Sequence, residues 1–317
     1  MGDELIDILI VGAGPAGLTA GLYGARSGSR TVVLEEMQPG GQVATTETVE
    51  NYPGFVEAVG GADLANAMAE QAKVYGAEIR GGVSVKSLGL GDDGLPLVGT
   101  TAGDIRARSC IVASGASPRK LGVPGEEKFR GRGVSYCATC DANFFRGQHV
   151  AVVGGGDTAV EEATYLAKIV ERVTIIHRRD RFRADKIVQE RALAKENVSV
   201  RWNSTVKSIE GEQKVTHLVL DTPEGEAKLE CGGVFVFVGY IPRGEFIGDA
   251  LETDGRGYIV TGAEMATSLK GYWAAGDIRS KAMRQIVSAC GEGATAAFHC
   301  IRYVEEQLGT TYPGRQG

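Results

Sequence analysis

Short apolar runs that end in glycine-rich turns recur along this chain and predict the strand ends of an α/β fold. The first run, residues 6–11, is followed by the turn Gly12–Gly17 and by a helix-compatible segment to about Ser27. A second apolar run, Thr31–Leu34, then closes on the acidic residue Glu35. Strand, glycine turn, helix, strand and acid is the order in which a βαβ unit builds a dinucleotide site.

The same pattern returns in the middle of the chain. An apolar run, residues 149–153, leads into the turn Gly154–Ala159, a helical segment through Val170 and another apolar run that closes on His177. The spacing from the first glycine to the closing residue is identical in the two copies. Chance does not account for two copies of the motif in the same context and at the same spacing. The two copies therefore predict two dinucleotide sites.

Three positions in each turn have separate tasks in such a site. The first permits a tight turn, the second lets the backbone approach a pyrophosphate, and the third allows the helix to pack closely on the strand. The pyrophosphate then lies at the positive end of the helix. We expect these positions to be Gly12, Gly14 and Gly17 in the first copy and Gly154, Gly156 and Ala159 in the second.

The two copies differ at the residues that would meet the adenosine ribose. Glu35 offers a carboxylate to ribose hydroxyls and would repel a 2′-phosphate. The second copy has a basic run that could bind a 2′-phosphate through charge-assisted hydrogen bonds. Its members are His177, Arg178, Arg179 and Arg183. We therefore expect FAD or NAD in the first site and NADPH in the second, the alternative being that neighbouring aspartates make the basic run a solvated turn.

Each half also contains a later strand that ends in glycine and is followed by proline and arginine. These strands are residues 109–115 and 234–239, and the chain is expected to cross between two bodies just after each of them. A further apolar strand, Gly271–Asp277, delivers a carboxylate at its end. The prediction is an α/β protein with two Rossmann-like domains of the three-layer ββα type, the second inserted into the first. The first domain comprises 1–118 and 247–317, and the inserted domain comprises 119–246.

Composition and charge restrict the class of protein. The chain has 317 residues, 43% of them hydrophobic and 23% charged, which is typical of a globular protein of two domains. Its net charge of −6 gives no electrostatic reason to expect nucleic acid or an anionic membrane as a partner. No apolar run approaches the ~18 residues of a membrane span. The acidic start Met1–Glu4 lacks the basic residues of a secretory signal, so a cytoplasmic enzyme is expected.

Two of the six cysteines form a C-x-x-C motif, Cys137-Ala138-Thr139-Cys140. A metal site would normally need a second pair of ligands at similar spacing, and the other cysteines are scattered among apolar or small neighbours. We therefore expect no metal and a reversible disulfide, with a degenerate metal site as the alternative. Asp141 follows the motif and could exchange the proton of the dithiol, unless it is a capping residue.

The position of the motif has a mechanistic consequence. Cys140 lies shortly before Gly154, so the cysteines belong to the domain expected to bind NADPH. The nicotinamide and the disulfide must then both reach one flavin that is held by the other domain. We expect the domains to rotate about the two chain crossings and to present them in turn.

The chain resembles low-molecular-weight, bacterial-type thioredoxin reductases along essentially its whole length. The matching blocks are Gly12–Gly17, Gly40–Gln42, Glu50–Gly54, Cys137–Asp141, Gly154–Ala159, His177–Arg179 with Arg183, Gly276-Asp277 and Arg284-Gln285. The resemblance implies FAD in the outer domain, NADPH in the inserted domain, a homodimer, and thioredoxin as the protein that is reduced.

The resemblance also implies roles for individual residues. The set expected to bind FAD is Gly12, Gly14, Pro15, Ala16, Gly17, Glu35, Gly41, Gln42, Asn51, Gly276, Asp277, Arg284 and Gln285. Within it, Asp277 would hold the ribityl chain and Gln285 would lie near the isoalloxazine ring. The set expected to bind NADPH is Gly154, Gly156, Asp157, Thr158, Ala159, His177, Arg178, Arg179 and Arg183. Cys137, Cys140 and Asp141 would be catalytic, with Cys140 facing the flavin because it adjoins Asp141.

Some positions depart from the family, and other functions stay open. Ala142-Asn143 follows Asp141 where the family usually has glycine, and Cys290 stands where alanine is usual. The same scaffold could reduce a different protein disulfide or a small disulfide. A dithiol oxidase would not need the basic run, and a ferredoxin–NADP reductase would not need Cys137 and Cys140. A nucleotide-sensing binding protein is the non-enzymatic alternative.

Overall fold

A computed structural model describes residues 5–46 and 48–310, without the side chains of Thr48, Thr139 and Cys140. The strands in chain order are β1 (Ile6–Val11), β2 (Thr31–Glu35), β3 (Thr48–Val49), β4 (Val59–Gly60), β5 (Glu78–Gly81), β6 (Val85–Leu90), β7 (Pro96–Thr100), β8 (Gly103–Val112), β9 (Ala116–Pro118), β10 (Val134–Ser135), β11 (His149–Gly154), β12 (Arg172–Ile176), β13 (Val198–Arg201), β14 (Thr205–Gly211), β15 (Val215–Thr222), β16 (Gly225–Glu230), β17 (Gly233–Phe237), β18 (Tyr240–Pro242) and β19 (Tyr272–Ala274).

The helices in chain order are α1 (Pro15–Arg26), α2 (Gly61–Val74), α3 (Ala138–Asp141), α4 (Asp157–Leu166), α5 (Lys186–Leu193) and α6 (Ile286–Leu308). Short 3-10 helices occur at Gly41–Thr45, Ala142–Phe145 and Gly276–Ile278. Helix α4 ends at Leu166, earlier than the expected Val170, because the following residues form a turn with hydrogen bonds from Lys168 N to Tyr165 O and from Ile169 N to Leu166 O. Among the described residues, none of these helices is long and apolar enough to cross a membrane.

The chain divides into two compact units. Unit 1 comprises Met1–Ser117 and Pro242–Gly317, and unit 2 comprises Pro118–Ile241. Unit 2 is therefore inserted in the sequence of unit 1.

Unit 1 is built on a sheet with the strand order β5-β2-β1-β8, on which β19 also pairs with β8. These pairs are parallel, whereas β7 and β6 continue from the other half of β8 as an antiparallel meander. Strand β1 is apolar at every position except Asp7, as expected for a strand with both faces covered. Ile8 and Ile10 pack with the helical side of the core, and Leu9 and Val11 pack with the meander side.

Unit 2 repeats this architecture with fewer elements. Its parallel sheet has the order β10-β17-β11-β12-β13, and β14, β15 and β16 form an antiparallel meander. Val150 and Val152 of β11 pack with α4, while Ala151 and Val153 pack against the meander. Each unit thus has a helix layer, a parallel sheet and a meander, which confirms the predicted fold class of two three-layer Rossmann-like domains.

Candidate functional site

The first glycine turn leaves an open cradle at the start of α1. Gly12 has φ +102°, and a Cβ atom there would lie 2.5 Å from the carbonyl oxygen of Ala113. A Cβ at Gly17 would collide with the carbonyl oxygen of Gly12, so the close approach of α1 to the turn requires glycine at position 17. At Gly14, by contrast, a Cβ would meet no protein atom within 4 Å. The space over Gly14 is thus free for a ligand, next to the N-terminus of α1.

The carboxylate of Glu35 is held against this cradle. One of its oxygens accepts a hydrogen bond of 2.8 Å from Ala13 N, and the other accepts one of 3.0 Å from Met37 N. Each oxygen keeps a further lone pair for a hydroxyl donor. The last residue of β2 is therefore fixed in position to receive the ribose of a nucleotide in the cradle.

The other residues predicted to bind FAD surround the same place in unit 1. A Cβ at Gly41 would lie 3.2 Å from Gly14 Cα, and one at Gly276 would lie 2.9 Å from the Cβ of Ala16. Gly41 also begins the 3-10 helix that exposes Gln42. Also in unit 1, Asn51 Nδ2 donates a hydrogen bond of 3.1 Å to Gln285 Oε1. Segments widely separated in the sequence are thus gathered at one site, with Pro15 as the first residue of α1.

A network of buried ionic groups supports the turn that carries Asp277. Glu292 accepts hydrogen bonds from Gly276 N at 2.8 Å and from Lys281 Nζ at 3.2 Å, and it pairs with Arg279 Nη1 at 2.9 Å. Lys281, whose side chain is 8% exposed, also lies 3.3 Å from Asp277 Oδ1. The two carboxylates and two cations balance in charge, so the cluster can be stable at low exposure.

Asp277 has the properties of a ligand-binding carboxylate. Its Oδ1 is buried, and within the described structure it forms the ion pair with Lys281. Burial raises the pKa of Asp277, and the positive charges of Lys281 and Arg284 partly oppose that rise. The guanidinium of Arg284 stacks on the ring of Tyr258 at 4.2 Å. A buried carboxylate oxygen that can still accept a hydroxyl donor, beside an open cradle, fits a polyhydroxylated cofactor such as FAD.

The cysteines outside the C-x-x-C motif are free thiols, and three of them are buried. Burial raises the pKa of Cys110, Cys231 and Cys300, so these thiols are unreactive, as expected for packed small residues. Cys290 is half-buried, with its Sγ 3.8 Å from the hydroxyl of Tyr52. Burial and this neighbouring thiol raise the pKa of Tyr52 to about 12.

The second glycine turn resembles the first in where a side chain would fit. Gly154 has φ +154°, and a Cβ there would collide with the carbonyl oxygen of Phe237 and lie 2.6 Å from the Cβ of Ala159. At Gly156 a Cβ would meet no protein atom within 4 Å. Gly156 directly precedes α4, which begins at Asp157 and continues through Thr158. Unit 2 therefore also has an open cradle at a helix N-terminus.

The basic run lies beside this second cradle, but its members are placed differently. Arg178, Arg179 and Arg183 are exposed, and Arg183 N donates a hydrogen bond of 2.7 Å to Gly155 O. His177 is only 6% exposed, and its ring lies so close under Gly155 that a Cβ there would collide with it. Burial lowers the pKa of His177, and nearby arginines lower it further. The histidine thus supports the turn from below, whereas the arginines face solvent.

The C-x-x-C motif lies in unit 2 just before β11. Cys137 is disulfide-bonded, and its N–H donates a hydrogen bond of 3.1 Å to the hydroxyl oxygen of Ser135. Ala138 within the motif and Ala142 just after it are buried and fasten the motif to the core of unit 2. The side chain of Cys140 lies outside the described residues, so its pairing with Cys137 stays a prediction. In the described part of the chain, no group of three or more His, Cys, Asp or Glu side chains is placed to hold a metal ion.

Several residues of these sites were not found from the sequence. Glu126, 3% exposed, accepts hydrogen bonds from Leu121 N, Gly122 N and the hydroxyl of Tyr136, the residue before Cys137. Arg181 is a further exposed arginine in the basic run. Glu292 could have been noticed as the first charged residue of α6 in an otherwise apolar and small stretch.

Comparison with known proteins gives matches along nearly the whole chain. The family model described as pyridine nucleotide-disulphide oxidoreductase matches residues 6–293. A thioredoxin reductase of Peptoclostridium acidaminophilum is 45% identical over 312 residues, covering 96% of this chain and 98% of that protein. A thioredoxin reductase of Listeria monocytogenes is 47% identical over 309 residues, covering 96% of this chain and 95% of that protein.

Solved structures give the same result. The thioredoxin reductase of Lactococcus lactis, in a state called the FR conformation, superposes with a TM-score of 0.92 at 41% sequence identity. The match covers 95% of this chain and 99% of that one. The fold of this chain is thus shared with that structure.

Proposed function

Because this chain belongs to the pyridine nucleotide-disulphide oxidoreductase family, we propose that it is a thioredoxin-disulfide reductase that uses FAD and NADPH. The observation that carries the proposal is the disulfide-bonded Cys137, which lies in the same unit as the nucleotide cradle at Gly154 and precedes β11 in the sequence, with α3 and a 3-10 helix between them. Unit 1 holds a second, similar cradle. Two dinucleotide sites and a redox disulfide in one chain are the parts that such an enzyme needs.

We assign residues 1–118 and 247–317 to FAD binding. When bound, FAD accepts a hydride from NADPH and passes the electron pair to a disulfide. The open space over Gly14 would receive the pyrophosphate, and Glu35 would accept hydrogen bonds from ribose hydroxyls. Asp277 would accept a hydrogen bond from the ribityl chain at its buried Oδ1, while Asn51 and Gln285 would lie toward the ring system.

We assign residues 119–246 to NADPH binding. The open space over Gly156 would receive its pyrophosphate at the N-terminus of α4. Arg178, Arg179 and Arg183 are exposed next to this turn and can form charge-assisted hydrogen bonds with a 2′-phosphate. His177 would act from beneath the turn rather than through direct contact with the phosphate.

The disulfide would carry the electrons onward. NADPH, one proton and the Cys137–Cys140 disulfide give NADP⁺ and two thiols, and Asp141 is the group we assign to exchange the proton at Cys140. Cys137, as a thiolate, then attacks one sulfur of oxidised thioredoxin and forms a mixed disulfide. Attack by Cys140 on the sulfur of Cys137 breaks that bond, releases thioredoxin as a dithiol and restores the original disulfide.

A protein partner is favoured over a small disulfide by the surface next to the motif. Phe144 is 77% exposed on the 3-10 helix that follows α3. A large exposed aromatic side chain that follows the redox motif closely in sequence is suited to contact a protein partner. Ala142 at the family's glycine position is buried in the core, so this departure is accommodated by packing.

The reaction requires the nicotinamide of NADPH and the cysteine disulfide to reach the flavin one after the other. Both the proposed nicotinamide site and the cysteines belong to unit 2, whereas the proposed flavin site belongs to unit 1. We propose that the units rotate about the two chain crossings between half-reactions. A covalent cross-link between the units that left turnover intact would exclude this rotation. A homodimer in the reducing cytoplasm completes the proposal, by resemblance to the bacterial-type enzymes.

The test is NADPH consumption by the holoenzyme with a small aromatic disulfide as terminal acceptor, with and without thioredoxin. We expect turnover to require thioredoxin and Phe144→Ala to raise its KM about tenfold. Phe298→Ala, which removes an exposed aromatic side chain of unit 1, is the matched control. If NADPH bleaches the flavin but thioredoxin adds nothing, the cofactor assignment stands and the partner assignment is wrong.

A further inference from the structure

The segment 178–185, here called the arginine loop, joins β12 to α5 and carries four arginines. Arg178, Arg179, Arg181 and Arg183 are all exposed. Phe182 and Ala184 alternate with the last two of them and are buried. The apolar side chains thus point into unit 2 while the arginines point to solvent, which is the arrangement needed to present several cations to one anion.

The inner side of the arginine loop is held by packing and by main-chain hydrogen bonds. Phe182 lies 4.5 Å, between ring centroids, from Trp202 and 5.6 Å from His177. His177 Nε2 donates a hydrogen bond of 3.0 Å to the carbonyl oxygen of Arg181. Asn203 N donates one of 3.2 Å to the carbonyl oxygen of Arg179. These contacts hold the part of the loop from Arg179 to Phe182 on unit 2.

Two further hydrogen bonds tie the arginine loop to the glycine turn. Arg183 N donates to Gly155 O at 2.7 Å, and Asp185 N donates to Asp157 Oδ1 at 2.7 Å. Asp185 is the residue that precedes α5, so the second bond fixes the point where the loop ends and the helix begins. The side chain of Asp157 thus connects the start of α4, next to the glycine turn, directly to the end of the arginine loop.

The charge of Asp157 would be a disadvantage if the residue only contacted the cofactor. The first turn of α4 attracts anions through its free N–H groups, and a carboxylate at its first position repels a pyrophosphate. Its oxygen is instead engaged with a backbone donor of the arginine loop. The geometry therefore points to an indirect role.

We propose that Asp157 is a positioning residue that fastens the arginine loop to the glycine turn and so sets the preference for a 2′-phosphorylated adenosine ribose. This inference deepens the proposed function and rests on the assignment of NADPH to unit 2. Without the fastening, the arginines would keep their charges but lose the fixed distance from the pyrophosphate site. Affinity for the 2′-phosphate would then fall more than affinity for the rest of the nucleotide.

The test compares the binding of 2′,5′-ADP and 5′-AMP, which differ only by the 2′-phosphate, to the FAD-loaded enzyme by titration calorimetry. The ratio measured is the dissociation constant of 5′-AMP divided by that of 2′,5′-ADP. In Asp157→Ala, this ratio should fall about tenfold from its wild-type value. Asp157→Asn is the matched control, because its amide oxygen can still accept from Asp185 N without the charge. It should keep the wild-type ratio to within about threefold.

A second variant removes the same hydrogen bond from the opposite side. Asp185 has φ −59°, which suits proline, and its side chain makes no capping hydrogen bond. Asp185→Pro therefore lacks the donor N–H but leaves the charge of Asp157 in place. It should lower the ratio as Asp157→Ala does, and the double variant should lower it no further. Thermal unfolding of each variant checks that unit 2 remains folded.

The outcomes separate this inference from the proposed function. If Asp157→Ala tightens both ligands equally, Asp157 acts only through its charge and the inference is wrong. It is also wrong if the ratio is unchanged in both Asp157→Ala and Asp185→Pro. If the wild-type enzyme itself shows no preference for 2′,5′-ADP, the assignment of NADPH to unit 2 fails first.

Discussion

The main-chain N–H of Ala13, inside the first glycine turn, donates a hydrogen bond of 2.8 Å to a carboxylate oxygen of Glu35, the last residue of β2. This bond connects the turn between β1 and α1 to the end of β2, at the place where a nucleotide would bind. The glycine turn and Glu35, which would accept hydrogen bonds from the ribose, are thus held together before a nucleotide binds.

The first prediction concerns this carboxylate. Glu35→Ala should raise the dissociation constant of FAD about tenfold or more, because both the ribose acceptor and the support for the turn are lost. Glu35→Gln keeps one acceptor oxygen and should be affected less. The measurement is quenching of flavin fluorescence on titration of the apoprotein, and equal affinity of Glu35→Ala and wild type would show that Glu35 does not read the ribose.

The second prediction separates the two tasks of the glycines. Gly12→Ala should destabilise unit 1 by about 2 kcal/mol or more, because its φ is positive and a Cβ would press on Ala113. Gly14→Ala should unfold at nearly the wild-type temperature as apoprotein yet fail to bind FAD. Gly156→Ala should keep FAD but lose NADPH binding. Differential scanning calorimetry and ligand titrations decide this, and normal FAD affinity in Gly14→Ala would mean that the pyrophosphate lies elsewhere.

The third prediction concerns the choice between the two nicotinamide cofactors. Replacing both Arg178 and Arg179 with alanine should raise the KM for NADPH at least about tenfold, with a much smaller change for NADH, because only NADPH carries the 2′-phosphate. Stopped-flow or steady-state kinetics with each cofactor measures this difference. An equal rise for both would show that these arginines do not bind the phosphate.

The fourth prediction concerns the order of electron transfer. Cys137→Ser and Cys140→Ser should each leave reduction of the flavin by NADPH intact while abolishing disulfide reduction, because the cysteines act after the flavin. Anaerobic bleaching of the flavin reports the first step, and thioredoxin reduction reports the second. Loss of flavin reduction in these variants would assign the cysteines a structural role.

The fifth prediction follows from the raised pKa of Asp277. Lys281 lowers that pKa, so Lys281→Met should raise it further, and the ionised carboxylate would then be lost at a higher pH as the solution is acidified. FAD affinity should therefore begin to fall at a higher pH in the variant than in wild type. Lys73→Met, at an exposed ion pair on α2, is the control. Superimposable pH profiles of the FAD dissociation constant would contradict this role.

Much of the fold could be predicted because the decisive signals are local. Strand β1 has the bounds expected from its apolar run, and both glycine turns open at the position expected to receive a pyrophosphate. A βαβ unit spans about 30 residues, so its periodicity and its glycine spacing are visible in one stretch of sequence. The meanders, by contrast, were not anticipated strand by strand, because short strands with one solvent-facing side give a weak pattern.

The chemistry of the two cradles and of the C-x-x-C motif was determined by the sequence itself, because each is carried by residues close together in the chain. Only the tertiary structure decided that Asn51 meets Gln285, that Glu292 supports the turn at Gly276, and that His177 is buried beneath Gly155. These contacts join segments on different elements, and the burial that gives them their electrostatic character exists only when the layers pack. Residue spacing shows which groups are available, whereas packing determines which of them face the ligand and which hold the others in place.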